Sequence, residues 1–582
     1  MVELTIKQQI ISHCTCCLAS TCGCCGLILG HTQKLTKPGP TRGPGLLSSK
    51  MGRLRVTMAC LLFTLLLIEM SSGAQETVMS TIPVFPQIPS HQEWDDFQVL
   101  VSIEAPKPVH RVPIHLTVVH SISNDNVLNE VKKAMKFISM QLLVGTTGNE
   151  NLLTIVGPSK SGDRVLIMPK DQREAMKEIE SMAHTDGTTL KTFLEMAIET
   201  LKNESSGQGH QHAGAIILLT DGESLGDHVN LVQGNADYPV HTFGLGAKHD
   251  HKALRRIASA SIGGAYSFVD DENEKMISAA LAVCVGGLKN VVVPATSVLK
   301  LEAVGRVNIT RIRYGQYNSP TKPAGDEEIK IGMLHAGETK KIIVHLEVPR
   351  EDDERRVGGG CGERTLLTAS FFGNTGDDAA PTTAVCVERR PPGVPAVQTA
   401  PSPLVLQEVA RYNLLDVVHK ISSATTSSIA TVLKEELDVF VQTHQFWSGI
   451  DVVLGGLQKE LLHVFVQTHQ PRSASWAAAY IGSWMSSYET QRPTAMGSPS
   501  NVVSAFLTQE VSTMLVEVVT LISNNVVFFP GRHDCAPCPT EPGCLNAQEL
   551  VEIIHKALKE RNCWTLCSQL DAGGDDRALP EA

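Results

Sequence analysis

No run of five or more basic residues occurs in this chain, and acidic side chains outnumber basic ones by 61 to 50, for a net charge of −11. Phosphate backbones select strongly basic surfaces, so nucleic acid is excluded as an expected partner. Also missing is an apolar run long enough to cross a bilayer. The one candidate, Met58–Ile68, has about eleven residues against the roughly 20 that a membrane helix needs. There is no phosphate loop, no dinucleotide fingerprint and no Ser-His-Asp order with a nucleophile elbow, which removes the common nucleotide-dependent and hydrolytic chemistries.

What remains is ample material for a folded protein. The 582 residues correspond to about three or four folding units, and a composition of 42% hydrophobic and 19% charged residues lets most of them bury a core. Residues 1–75 read as a leader. Within it, 51–75 is laid out like a secretory signal, with Arg53 and Arg55 before the apolar core and the small, polar SSGAQ after it. This predicts cleavage between Ser71 and Gln75, a secreted or endomembrane location, and membrane association through the leader only. If the leader is silent the chain is cytoplasmic. The compact cysteine run from His13 to Gly26 cannot wrap two zinc ions in cross-braced loops.

Beyond a short strand-like segment at 80–110, residues 111–288 alternate apolar β-branched runs with helical periodicity. IHLTVV (Ile114–Val119) and AIILLT (Ala215–Thr220) are apolar on both faces, while Leu128, Val131, Met135, Ile138 and Leu142 recur at three and four. Strands buried on both faces and separated by amphipathic helices predict a doubly wound, Rossmann-like α/β domain with a mostly parallel sheet. Residues 289–390, typified by KIIVHLEV (Lys341–Val348), predict an antiparallel β domain. A Pro-rich linker follows at 391–403, then a mainly helical region at 404–530. There KEELDVFVQTHQ (Lys434–Gln445) returns as KELLHVFVQTHQ (Lys459–Gln470), a local duplication to which no function attaches. A cysteine-containing tail occupies 531–582.

Ligands of open α/β sheets bind beyond the carboxyl ends of the strands. Three loops there carry oxygen donors: Ser121-Ile122-Ser123-Asn124-Asp125, Asp186-Gly187-Thr188-Thr189 and Asp221-Gly222-Glu223-Ser224. Hydroxyls with one or two carboxylates suit a hard cation such as Mg²⁺. The combination SISND, DGTT and IILLTDGES resembles a von Willebrand factor type A domain, whose metal-ion-dependent adhesion site combines an Asp-x-Ser-x-Ser loop, a Thr and a later Asp. TIPVFPQIP, DDFQVLVSIEAP, CVGGL (Cys284–Leu288) and Gln491-Arg492-Pro493-Thr494-Ala495 resemble, more narrowly, the plant wavy-growth E3 ubiquitin ligase family. The likeness runs from about Ser80 to Leu515.

The resemblance implies metal ligands at Ser123, Asp125, Thr188 and Asp221, and a protein ligand whose acidic side chain completes the metal shell. Ser121, however, stands where the family has its first Asp, and Asp125 stands on the last Ser. Two readings follow: a displaced Mg²⁺ site, or a degenerate loop whose Ser and Asp cap the next helix. Nothing between Met1 and Asp95 has the ligand spacing of the family's ring finger, so ligase activity by the family mechanism is not expected. The overall expectation is a non-enzymatic protein-binding module, with a role as adaptor to an E3 ligase pathway as the alternative. Secreted inter-alpha-trypsin inhibitor heavy chains also join an A domain to β modules, but the plant-like segments argue against them.

Smaller signals remain. His249 and His251 have the spacing of paired metal ligands, but Asp250 between them reads as a helix N-cap. Cys535, Cys538, Cys544, Cys563 and Cys567 allow disulfides in an oxidising compartment, a zinc site, or free thiols. The sequons at Asn203 and Asn308 would be glycosylated on a secretory route.

Overall fold

The computed structural model describes residues 77–523 except 108–110, 144–150, 161, 168–170, 186–189, 206–211, 223–227, 234–237, 316–324, 351–363, 374–380, 391–399, 424–473 and 499–502. The leader, the duplicated segment and the cysteines from Cys535 to Cys567 lie outside the described residues. So does Thr188.

Three strands open the described part: β1 (Val78–Pro83), β2 (Gln87–Pro89) and β3 (Trp94–Glu104). The α/β domain then runs β4 (Ile114–Ser121), α1 (Asp125–Leu143), β5 (Leu152–Ser159), β6 (Gly162–Ile167), α2 (Gln172–Ser181), α3 (Leu190–Ser205), β7 (Ala213–Thr220), α4 (Val229–Gln233), β8 (Val240–Leu245), α5 (His251–Ser259), β9 (Tyr266–Val269) and α6 (Ile277–Leu288). Its helices form where the sequence places apolar residues at three- and four-residue spacing: Leu128, Val131, Met135, Ile138 and Leu142 of α1 are all buried. Its central strands are apolar throughout because both faces are covered, and every residue of β7 is buried. Leu116, Ile217 and Leu219 enter one core with α1 and α6, whereas Val119, Ile216 and Leu218 enter the other with α3 and α5. Alternation along a strand divides the side chains between the two layers in this way.

The sheet has seven strands in the order β18-β9-β8-β7-β4-β5-β6, parallel except for the antiparallel edge strand β6. The seventh strand comes from far along the chain: β18 (Met496–Gly497) pairs in parallel with Phe268 and Val269 of β9. It covers an edge that would otherwise expose unpaired backbone groups.

The β region comprises β10 (Val291–Val293), β11 (Val298–Ala303), β12 (Asn308–Arg313), β13 (Asp326–Lys330), β14 (Leu334–His335), β15 (Thr339–Val348), β16 (Arg364–Phe372) and β17 (Thr382–Arg390). The early strands belong to it: one sheet is β1-β3-β15-β12 and another is β13-β11-β16-β17-β2. Local alternation reads KIIVHLEV as a strand but cannot show that its partner is β3, more than two hundred residues earlier. Among the described residues three α-helices follow, α7 (Pro403–Ser423), α8 (Ala474–Thr490) and α9 (Gln509–Ser523). They pack into this same body: Trp484 of α8 is fully buried, and Val511 of α9 lies 3.0 Å from a Cβ placed on Gly286 of α6. No helix among the described residues is long and apolar enough to cross a membrane.

Candidate functional site

Strand β4 ends at Ser121 and β7 at Thr220, side by side in register, so the loops that follow them meet at the carboxyl edge of the sheet. There the Asp221 carboxylate closes onto the loop after β4. Its Oδ1 accepts the Ser123 backbone N–H at 2.8 Å. Its Oδ2 accepts the Asn124 N–H at 2.9 Å and the Ser123 hydroxyl at 3.0 Å. Three donors on one carboxylate staple the two loops together, and hydrogen bonds to a charged acceptor are the stronger kind.

Neither Ser123 nor Asp125 caps α1. That role falls to Asn124, whose Oδ1 accepts the N–H groups of Asn126 at 2.8 Å and Val127 at 3.3 Å. The SISND stretch offers several good capping residues in a row, and only the backbone path selects among them. Asn124→Ala should therefore lower stability by about 1 kcal/mol, read as a shift in urea midpoint without a change of slope.

Asp125 sits in the first turn of α1 with its side chain 81% exposed, and His184 Nδ1 lies 3.6 Å from its carboxylate. A negative charge there is favoured by the helix dipole without any cation. The Ser121 hydroxyl accepts a weak hydrogen bond from Thr185 at 3.5 Å. Beneath it His120 is buried against Gly157 of β5, where a Cβ would meet the ring at 2.3 Å. Burial, with a smaller push from Lys132, lowers the His120 pKa to about 3. A neutral imidazole thus underlies the site. Among the described residues no three His, Cys, Asp or Glu side chains form a group able to hold a metal ion.

Of the other residues singled out from sequence, Asp250 caps α5 by accepting the Ala253 N–H at 3.0 Å. His249 is no surface ligand: it is buried between the Gly246 carbonyl and the Tyr266 hydroxyl, at 2.5 Å from each. Asn203 is exposed near the end of α3. The Asn308 amide in β12 is half-buried and donates to Glu347 at 3.0 Å.

A buried charge cluster lies elsewhere, and of its members only Arg492 falls in a segment that the family resemblance marked. Glu338, before β15, accepts from Arg492 Nε at 2.7 Å, Arg492 Nη2 at 3.1 Å and Lys340 Nζ at 2.5 Å, and all three side chains are buried. Burial works against the charged carboxylate, yet Arg492 and Lys340 hold Glu338 well below the usual carboxylate range. Arg492 also donates to the Gly263 and Met333 carbonyls, joining the α/β domain, the β region and the last helices.

A doubly wound sheet with an Asp-stapled loop at its carboxyl edge is accompanied by a direct match of residues 120–279 to the model of the von Willebrand factor type A domain. The chain carries a von Willebrand factor type A domain. E3 ubiquitin-protein ligase WAV3 of Arabidopsis thaliana is 23% identical over 249 residues, 42% of this chain and 32% of that protein. The chain thus spans about a third of the length of this curated relative. A von Willebrand factor type A protein from Catenulispora acidiphila superposes with a TM-score of 0.51 at 14% identity, over 71% of this chain and 98% of that one. The ArnB paralog VWA2 from Sulfolobus acidocaldarius gives 0.46 at 16% identity, over 71% and 99%. At such identities the A-domain fold is what is shared with the Catenulispora protein.

Proposed function

We propose that this chain is a non-enzymatic protein-binding module. Its A domain meets a protein partner at the carboxyl edge of the sheet, through an adhesion site that is degenerate and works without a metal ion. The observation that supports this most is the Asp221 staple. The carboxylate that would serve Mg²⁺ is engaged by three donors of the loop after β4, and the second carboxylate, Asp125, is solvated on the first turn of α1. Octahedral Mg²⁺ demands near-ideal placement of its few protein oxygens, and with Ser121 in the first position this donor set does not fit it. The loop after β4 is held in shape by its hydrogen bonds to Asp221, which gives a partner a preformed surface there. A secretory route through 51–75, with Asn203 as the accessible sequon, is part of the same reading. The similarity to WAV3 favours one second reading, an adaptor that competes or assembles with E3 ligases in the cytosol.

Affinity capture by the full chain, by Asp221→Ala and by the full chain in EDTA tests this. Capture should fall at least about tenfold in Asp221→Ala while the far-UV spectrum is kept, and EDTA should leave it unchanged. Loss of capture in EDTA would establish a working cation site. Capture unaffected by Asp221→Ala would place the partner elsewhere.

A further inference from the structure

A cavity of about 20 Å³, room for a water molecule, lies where the A domain, the β region and the C-terminal segment meet. His241 and Phe243 of β8, Ser267 of β9, His335 of β14 and Arg492 line it. The Nε2 atoms of both histidines are buried there without a hydrogen-bond partner among the described residues, although buried polar atoms are nearly always paired. The charges around them are unbalanced. Arg492 and Lys340 are cationic, and Glu338 is the carboxylate between them. Its Oε2 also lies 3.9 Å from His335 Nδ1, but burial and the two cations outweigh that attraction and hold His335 well below the usual imidazole range. The Cys284 thiol facing the cavity from α6 is held neutral by burial. Tyr314, also close to this cluster, has its hydroxyl kept neutral by burial. A proton on either imidazole would enter a cluster that already carries a net positive charge.

The same segment supplies the strand that covers the A-domain edge. From Arg492 the chain runs directly to Ala495 and Gly497, whose carbonyls accept the Phe268 and Asp270 N–H groups at 2.9 and 3.0 Å. Among the described residues the pairing of β18 with the sheet is two residues long.

We propose that His241 and His335 form an acid-operated latch: protonation of the pair opens the cavity, withdraws Arg492 and releases β18 from the edge of the A-domain sheet. Neutral, the two buried rings are tolerated beside the cavity. Once β18 has left and water enters, both can take protons, so acid favours the open form. With two protons taken up, the opening equilibrium constant rises by up to about 100-fold per pH unit below pH 6.5. Other groups near this edge do not supply the same coupling. His249 packs on Tyr266 and Phe268 of β9 but lies outside the cavity, and Asp270 accepts from Trp476 and Asn273.

Native-state hydrogen exchange of the full chain between pH 6.5 and 5 tests this, with rates corrected for intrinsic chemistry. The opening constant at the Phe268 and Asp270 amides should rise steeply, by tens of fold per unit, at pH values where the Val119 and Leu218 amides still report far rarer opening. His241→Gln should reduce the slope to about tenfold per unit, and His335→Gln serves if the first variant folds poorly. His249→Gln should leave the slope in place. Phe268 and Asp270 opening that ignores pH, or that follows pH equally in His241→Gln, would overturn the latch. The result is independent of whether the site at Asp221 binds a protein.

Discussion

Glu338→Gln should cost the folded chain about 3–5 kcal/mol, the largest effect of any single substitution considered. The side chain is buried, and it is the carboxylate between Lys340 and Arg492. Removing its charge leaves two buried cations without an anion, and a buried charge that loses its partner forfeits far more than a surface pair would. Urea denaturation followed by tryptophan fluorescence reads this directly. Replacing Glu338 and Arg492 together by Met should cost less than Glu338→Gln alone, because one of the stranded charges is gone. A loss under about 1 kcal/mol for Glu338→Gln would show that the cluster does not tie the α/β domain to the elements after it.

Acid should unfold the protein in a narrow range near pH 5. Burial lowers the pKa of His120 and His241 to about 3 and of His115 and His249 to about 4, from an ordinary value of 6.5. In each case the folded state binds its proton less readily than the unfolded chain. Above pH 6.5 these groups make no difference. As pH falls below 6.5 toward the folded values, the unfolded state takes up protons that the native state cannot, and stability is lost. At pH 5 each costs about 2 kcal/mol relative to pH 7.5, so four cost about 8 kcal/mol, on the scale of a whole domain's stability. The urea midpoint measured from pH 7.5 downward should be flat to about pH 6.5 and then fall steeply. Replacing His120 by Gln should reduce the steepness by about one proton. A midpoint unchanged between pH 7 and 5 would mean that these imidazoles are hydrated in the native state.

The parts of this molecule legible in its sequence are those set by local periodicity. The apolar runs at Ile114 and Ala215, the stripe from Leu128 to Leu142 and the Asp250 cap all sit where spacing and capping chemistry put them. What was not legible depends on pairs far apart in the chain. Trp94–Glu104 looks like a free-standing strand until it pairs with Thr339–Val348. Glu338 reads as a turn residue in AGETKK, and nothing in its neighbourhood announces a partner 154 positions later. Gln491 to Ala495 was recognisable through family resemblance, but its work is structural. Gln491, at φ 52, hydrogen-bonds the Lys341 backbone, Arg492 reaches Glu338, and Thr494 bonds Ser483. At the candidate site the loop after β4 meets Asp221, but the helix cap is Asn124 and not Ser123 or Asp125, because these three are chemically similar candidates that only the backbone path distinguishes.

Whether the adhesion site has given up its metal is best decided by calorimetric titration of Mg²⁺ and Mn²⁺ into the full chain, Ser121→Asp and Asp221→Ala at pH 7.5. A self-stapled loop gives no binding heat with the natural chain, a measurable heat once Ser121→Asp restores the family's carboxylate, and none with Asp221→Ala. Stoichiometric Mg²⁺ binding by the natural chain that disappears in Asp221→Ala would contradict the degenerate site, and with it a partner surface that works without a cation.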